Sequence, residues 1–390
     1  MLRAMSIAFP ILAITVFIGW HYYIWARLVR DVQPPNRLRK AGLALILTLG
    51  TAFLFAMLVG HFAPARALKP AFILGFSWLG TSFTFFILLI IADIAKLGIW
   101  GVRRMARLGP DSPERRRTTA QIIAGVVATT GLVSTLVGTF SAFGTPKTEH
   151  VRVELPRLSN KMVGTRIVQL SDLHIGPILD RAWVEKVVAQ VQSISPDLVV
   201  ITGDLVDGSV EKLRDDVAPL GTMQARYGVY FVTGNHEFIR GAEPWVEELQ
   251  RIGIRVLRNE HVLIGEGDDA FCLAGVEDFS SRNRDGGRRH DVAAAVRGVD
   301  PSREVVLLSH QPKSIDDAAA HGVGLLLAGH THGGQIYPWR YFVYLQQPYV
   351  SGLHKVGGTQ LYVNRGTGFW GPPVRVGAPP EITVIELVKD

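Results

Sequence analysis

The stretch "TRIVQLSDLHIGP" (165–177) decides how the rest of the chain is read. A short aliphatic run, Ile167 to Leu170, breaks into a polar cluster that carries Asp172 and His174. This is the pattern of a buried strand that delivers polar groups at its carboxyl end. The pattern recurs downstream. "PDLVVITGD" ends on Asp204, "GVYFVTGNHE" on Asn235 and His236, "VVLLSHQP" on His310, and "GLLLAGHTH" on His330 and His332. After the first strand, "DRAWVEKVVAQVQSI" (180–194) has the apolar spacing of an amphipathic helix. Strands alternating with helices predict an α/β fold, in which side chains past neighbouring strand ends converge on one crevice. Asp172 and His174 lie two apart, so an extended strand end would turn both the same way.

Any one of these residues alone reads as an ordinary turn residue, and His310 by itself carries no more weight than that. Five strand ends in a row bearing Asp, Asn or His are another matter. Carboxylate, amide oxygen and imidazole together suit Mn²⁺, Fe or Zn²⁺ rather than Ca²⁺ or a soft metal. Eight such groups exceed what one ion takes, so two divalent ions sharing a carboxylate is the economical reading. Paired metals, roughly 3.5–4 Å apart, are suited to activating water and steadying a phosphoryl displacement.

"DLH", "GDLVDG", "GNHE", a lone histidine after a strand and "GHTH", in that order, resemble the calcineurin-like metallophosphoesterase superfamily. "GHTHGGQ", with the later "NRGTG" and "PPVRVGAPPEI", is most similar to its membrane-associated branch. That branch holds transmembrane proteins with a metallophosphoesterase domain and enzymes similar to UDP-2,3-diacylglucosamine hydrolases. The resemblance implies a four-layer α-β-β-α sandwich over residues 161–390. It implies that Asp172, His174 and His332 bind one metal, that Asn235, His310 and His330 bind a second, and that Asp204 bridges the two. His236, beside a ligand but not one itself, becomes the general acid or a donor to the leaving oxygen. Asp207 and Glu237 become supports of the site. The implied activity is hydrolysis of a phosphate ester or pyrophosphate bond by a metal-activated hydroxide. The narrower alternative is a UDP-2,3-diacylglucosamine-type pyrophosphate hydrolase of lipid A synthesis. The alternative of another class is a non-catalytic membrane sensor of metal or ligand, although a binding-only site has no use for a general acid.

Three further features bear on substrate. Arg365, in "NRGTG", is a candidate phosphate contact. The basic segment "SRNRDGGRRH" (281–290) reads as a solvated loop or as a second phosphate contact. "IYPWRYFVYLQQPYV" (336–350) reads as a strand and loop packed on the core, or as an apolar lip at a membrane interface, where Trp and Tyr are favoured.

Upstream of residue 146 the composition changes. Hydrophobic residues make up 48% of the 390-residue chain, and the mean hydropathy is +0.21. Residues 1–150 hold 16 of the 41 Lys and Arg but only 5 of the 34 Asp and Glu. The basic excess sits between apolar runs, so it reads as membrane topology and no nucleic-acid partner is expected. Residues 1–145 are predicted to form an all-α membrane domain with spans at about 5–25, 41–60, 71–92 and 118–144, joined to the catalytic domain by a linker over 146–160. Asp93, at the end of the third span, reads as interfacial rather than as a proton relay, and His21 reads as surface or interfacial. The first and third connectors hold five and seven basic residues against two in the second. Both basic connectors therefore belong to the cytoplasmic side and everything after residue 145 to the other. The expected partners are the bilayer and a phosphorylated substrate that the tether allows to be lipid-linked. The single cysteine, Cys272, excludes an internal disulfide framework and reads as a buried strand thiol.

Overall fold

The computed structural model describes residues 2–59, 68–283 and 288–389. The chain divides into two compact units, Met1–Thr139 with Gly371–Val374, and Phe140–Trp370 with Arg375–Asp390.

The first unit is built from α1 (Leu2–Trp25), α2 (Asn36–Val59), α3 (Lys69–Met105) and α4 (Pro113–Phe143). All four are long and apolar enough to cross a membrane. Ile14, Leu47, Ile91 and Leu136 are exposed on them, as suits helices whose solvent is lipid. Ile24, Ile46, Trp78, Phe85, Leu89 and Val127 form the buried interior. Gly75 lets α3 approach α2 closely, since a Cβ there would lie 2.8 Å from Phe53 Cα. At 37 residues, α3 runs about 55 Å, longer than a hydrocarbon core of about 30 Å. Its polar end leaves the apolar stretch at Asp93, which pairs with Arg27 and Lys96, each at 2.9 Å, and accepts from Tyr23 Oη at 2.7 Å. All of these contacts engage the Asp93 carboxylate within the helical unit. His21 is different. It is buried among the helices, where Trp78 Nε1 donates to its Nε2 at 3.0 Å. One histidine in an apolar run does not reveal which helix face it occupies.

The second unit holds two six-stranded sheets. The first orders β1 (Lys147–Glu154), β12 (Glu381–Val388), β2 (Arg166–Leu170), β3 (Leu198–Thr202), β4 (Val229–Val232) and β5 (Arg255–Val256). The second orders β10 (Gly352–Val356), β11 (Thr359–Val363), β9 (Leu325–Ala328), β8 (Val305–Leu308), β7 (Phe271–Gly275) and β6 (Glu260–Ile264). β2 to β5 are mutually parallel, as are β11, β9, β8 and β7. Their central strands are apolar on both faces because both faces are covered. Leu198 and Val200 of β3 share a core with Leu273, Leu308 and Leu327 of the facing sheet. Val199 and Ile201 point the other way, onto Val184, Val187 and Val191 of α5 (Arg181–Ile194). Beyond the second sheet, Cys272, Ala274 and Leu307 pack on Ala295, Ile315 and Ala318 of short helices. The result is the four-layer α-β-β-α sandwich. Burial pushes the Cys272 thiol up to about 12, so it stays protonated inside β7.

Residues 146–160, expected as a linker, instead contribute β1, which pairs in parallel with β12 along all eight residues. Of its side chains only Val153 is buried. Lys147, Glu149, Arg152 and Glu154 mark an exposed edge strand, and they mask its alternation in the sequence.

Candidate metal centre

Each candidate ligand follows a strand of one of the parallel blocks. Asp172 and His174 follow β2, Asp204 follows β3, and Asn235 and His236 open α6 (Asn235–Arg240) just after β4. His310 follows β8, and His330 and His332 follow β9. The expected extended alternation of Asp172 and His174 is not what aims them. β2 ends at Leu170, and both residues adopt left-handed backbone, with φ of 52° and 48°. Asp204, His330 and His332 do the same, at 51°, 71° and 50°. Five of the ten non-glycine residues with positive φ among the described residues are therefore candidate ligands. Each such residue costs about 1 kcal/mol, so this clustering marks loops bent to point side chains at one place. Asp172 N and His174 N donate to Gly203 O and Asp204 O at 3.0 and 3.1 Å, which holds the two loops together. The glycines allow the approach. A Cβ on Gly234 would overlap Asp204 Oδ1, and one on Gly329 would overlap Ser171 Oγ and Asp172 Oδ2.

The side chains gather into two adjoining clusters, each with ligand atoms within 4.8 Å of one another: Asp172, His174 and His332, and Asp204, His310 and His330. In the first, His174 Nε2 lies 3.1 Å from His332 Nε2, which lies 3.5 Å from Asp172 Oδ1. In the second, His310 Nε2 lies 3.2 Å from Asp204 Oδ2, 3.2 Å from Asn235 Oδ1 and 3.0 Å from His330 Nδ1. Asp204 Oδ2 also lies 3.9 Å from His174 Nε2, so one carboxylate oxygen stands between the clusters.

The donor chemistry fits a cation. His310 Nδ1 faces Thr202 O at 2.8 Å. A carbonyl only accepts, so Nδ1 carries the hydrogen and Nε2 turns inward. There it meets a carboxylate oxygen, an amide oxygen and another imidazole nitrogen, three atoms able to accept and few hydrogens to share. A divalent ion of intermediate hardness satisfies all of them at once. A third grouping, His174, Asp207 and His236, is as compact. It is already satisfied internally, because Asp207 Oδ1 accepts from His236 Nδ1 at 2.6 Å and faces His174 Nδ1 at 3.3 Å.

The electrostatics are uneven. Burial opposes charge on His310, but the field and hydrogen bond of Asp204 outweigh it and hold the imidazole well above the usual histidine range. Burial likewise opposes ionisation of Asp204, and His310 overrides it, so that carboxylate sits well below its usual range. His332 is driven well below its ordinary value by burial and by the Arg375 guanidinium, and His330 falls to about 4 through burial and the neighbouring His310. For His236, burial acts downward, yet the Asp207 hydrogen bond and the charges of Asp204, Asp207 and Glu237 raise it to about 9.

The support expected of Asp207 and Glu237 takes definite form. Glu237 Oε2 accepts from Asp204 N at 3.0 Å and Gly234 N at 2.7 Å, and Oε1 accepts from Leu205 N at 2.8 Å. One buried carboxylate thus ties the Asp204 loop to the start of α6. Arg365 pairs with Glu149 at 2.7 Å and with buried Glu381, so its charge is already engaged. Residues 284–287 of the basic segment lie outside the described residues. The aromatic segment is not a strand. It holds a short helix, Arg340–Val343, with Tyr337, Trp339, Tyr341, Phe342 and Tyr344 exposed.

Two residues of the site had no role from the sequence. Arg375 is buried, donates to the carbonyls of His332, Arg365 and Gly368, and places Nη2 3.1 Å from His332 Nδ1. Burial lowers it to about 9. An arginine in "PPVRVGAPP", a run without helical or strand period, has no local signal for turning inward. Trp370 sets its ring edge-on to His236, 5.9 Å between centroids, while remaining exposed. The Gln335 side chain holds the Trp370 backbone, its Nε2 donating to Trp370 O at 2.8 Å and its Oε1 accepting from Trp370 N at 3.1 Å.

The profile of the family described as calcineurin-like phosphoesterase matches residues 165–334. A Danio rerio protein named transmembrane protein with metallophosphoesterase domain is 36% identical over 81% of this chain and 73% of its own length. A Bos taurus protein of the same name is 39% identical over 65% of this chain and 60% of its own length. An uncharacterized metallophosphoesterase of Aquifex aeolicus is 30% identical over 65% of this chain and 97% of its own. With clustered carboxylates and imidazoles at the ends of both parallel blocks, the chain belongs to the calcineurin-like phosphoesterase family and carries a metal-dependent phosphoester hydrolase domain.

Proposed function

We propose that this protein is a membrane-anchored phosphoesterase that uses two divalent metals to cleave a phosphate ester or pyrophosphate bond. The observation that carries the reading is the position of Asp204 Oδ2, 3.9 Å from His174 Nε2 on one side and 3.2 Å from His310 Nε2 on the other. Asp172, His174 and His332 would hold one ion, Asn235, His310 and His330 the other, and Asp204 both. Such a pair supplies Lewis acidity, easing deprotonation of water and neutralising charge on a phosphoryl group. The chain supplies the rest. His236 Nε2 faces the same Asp204 oxygen at 3.9 Å, and its Nδ1 is fixed on Asp207. That leaves Nε2–H to donate to a leaving-group oxygen. Trp370 screens one side of that imidazole from water.

The His236–Asp207 pair also favours an enzyme over a binding-only sensor, because it engages no ligand position that the two clusters need. A lipid-linked or amphiphilic substrate is supported by the exposed aromatics of 337–344 and by the tether. The placement of basic connectors favours a non-cytoplasmic catalytic domain. A UDP-2,3-diacylglucosamine-type substrate, a cytoplasmic nucleotide lipid, therefore ranks second. Arg365, engaged by two carboxylates, has the least support among the proposed substrate contacts. The test is hydrolysis of bis-p-nitrophenyl phosphate by the purified full chain with added Mn²⁺. Turnover that a chelator abolishes and Mn²⁺ restores is expected, and turnover indifferent to chelator overturns the proposal. Protease treatment of intact cells checks the side, since a domain digested only after lysis would reverse the orientation.

A further inference from the structure

The helical unit contains a cavity that anchoring does not require. It lies between the polar end of α3, the connector to α4 and the first turns of α4, and its volume is about 1000 Å³. Eight Lys and Arg side chains line it against two carboxylates, Asp31 and Asp111. Asp111 is committed to Arg103 and Arg115, at 3.3 and 3.4 Å. Among the described residues Arg107, Arg116 and Arg117 meet no carboxylate, and Arg117 Nη2 donates to Gln33 O at 3.5 Å. The lining also includes apolar Leu89, Ile99 and Ile123, and Trp100, with the Arg104 guanidinium 5.6 Å from its ring. Arg107 occupies the left-handed position after α3, with φ of 54°. Glycine takes that position without cost and arginine does not. Charge bias alone orients a membrane protein, but it requires neither a cavity nor arginines without a carboxylate partner beside apolar lining residues.

We propose that this cavity binds a phosphate-bearing amphiphile, an anionic phospholipid whose headgroup phosphate meets Arg107, Arg116 and Arg117 while its acyl chains lie against the apolar lining residues. Arginine presents a planar fork of donors that matches phosphate oxygens, and basic pockets between membrane helices suit anionic headgroups. The shared chemistry is the phosphate group, so a free phosphate ion is the competing source.

The experiment measures binding of phosphatidylglycerol and of phosphatidylcholine to the detergent-purified full chain by native mass spectrometry. Saturable binding of phosphatidylglycerol in preference to phosphatidylcholine is expected. The combined variant Arg107→Gln, Arg116→Gln, Arg117→Gln is expected to bind phosphatidylglycerol about a hundredfold more weakly, at roughly fivefold per arginine. The matching Arg→Lys variant keeps the charge that guides insertion and is expected to retain most of the binding. Turnover of a soluble phosphodiester should be the same in all three proteins, which certifies folding. Displacement of the lipid by excess inorganic phosphate would identify the free ion as the occupant and overturn the lipid assignment. Equal binding of the two lipids, or undiminished binding by the Gln variant, would overturn the site.

Discussion

The two adjoining clusters of the candidate metal centre use carboxylates and imidazoles alike but set different groups behind them. In the Asp172–His174–His332 half, charged groups stand behind the imidazoles: Asp207 behind His174, and Arg375 behind His332, which is held neutral. In the Asp204–His310–His330 half, the group behind His310 is an uncharged carbonyl, and His310 retains a proton on account of Asp204. Burial raises the Asp172 carboxyl in the first cluster, while His310 holds the Asp204 carboxylate well below its usual range in the second. The same residue types at matched strand ends thus stand in different surroundings.

The sharpest way to break this comparison is to remove the residue the halves share. Asp204→Ala should lose metal and bring turnover to background, measured by metal content and by hydrolysis of bis-p-nitrophenyl phosphate. His236→Ala should leave metal content near that of the native protein while turnover falls by about 10²–10⁴-fold. Normal hydrolysis by this variant would remove His236 from its assigned role. Asp207→Asn, which acts behind His174 and His236, should cost about 10–100-fold and also move the pH profile. His236 is raised from 6.5 to about 9, so its donor proton is present below that value and is lost as pH rises through it. The basic limb of activity should fall near pH 9 in the native protein and at lower pH in Asp207→Asn. The mildest effect is on stability. At a metal concentration about 100 times Kd, loading should add roughly 2.7 kcal/mol, read as a rise in Tm that chelator reverses.

Much of the fold was legible because each of the five strands leading to a candidate ligand announced itself twice, by an apolar run and by the polar group after it. The same coupling exposed the ligands, since Asp172, Asp204, Asn235, His310, His330 and His332 all sit two to four residues past a strand end. The means of aiming them was not legible. A left-handed turn at Asp172 or His332 is a backbone state that no residue type in "SDLH" or "GHTH" demands, and extended alternation fits the letters equally well. Arg375 and Trp370 reach the site from a Gly- and Pro-rich segment whose path depends on tertiary contacts. β1 escaped because an edge strand buries almost nothing on its exposed side, and His21 because an apolar run hides which helix face looks inward.

The most direct test of the central claim is the number of Mn²⁺ equivalents bound by the chelator-stripped full chain, titrated calorimetrically at neutral pH. The account predicts two equivalents, with both lost in Asp204→Ala. One equivalent in the native protein, or two retained by Asp204→Ala, would contradict it.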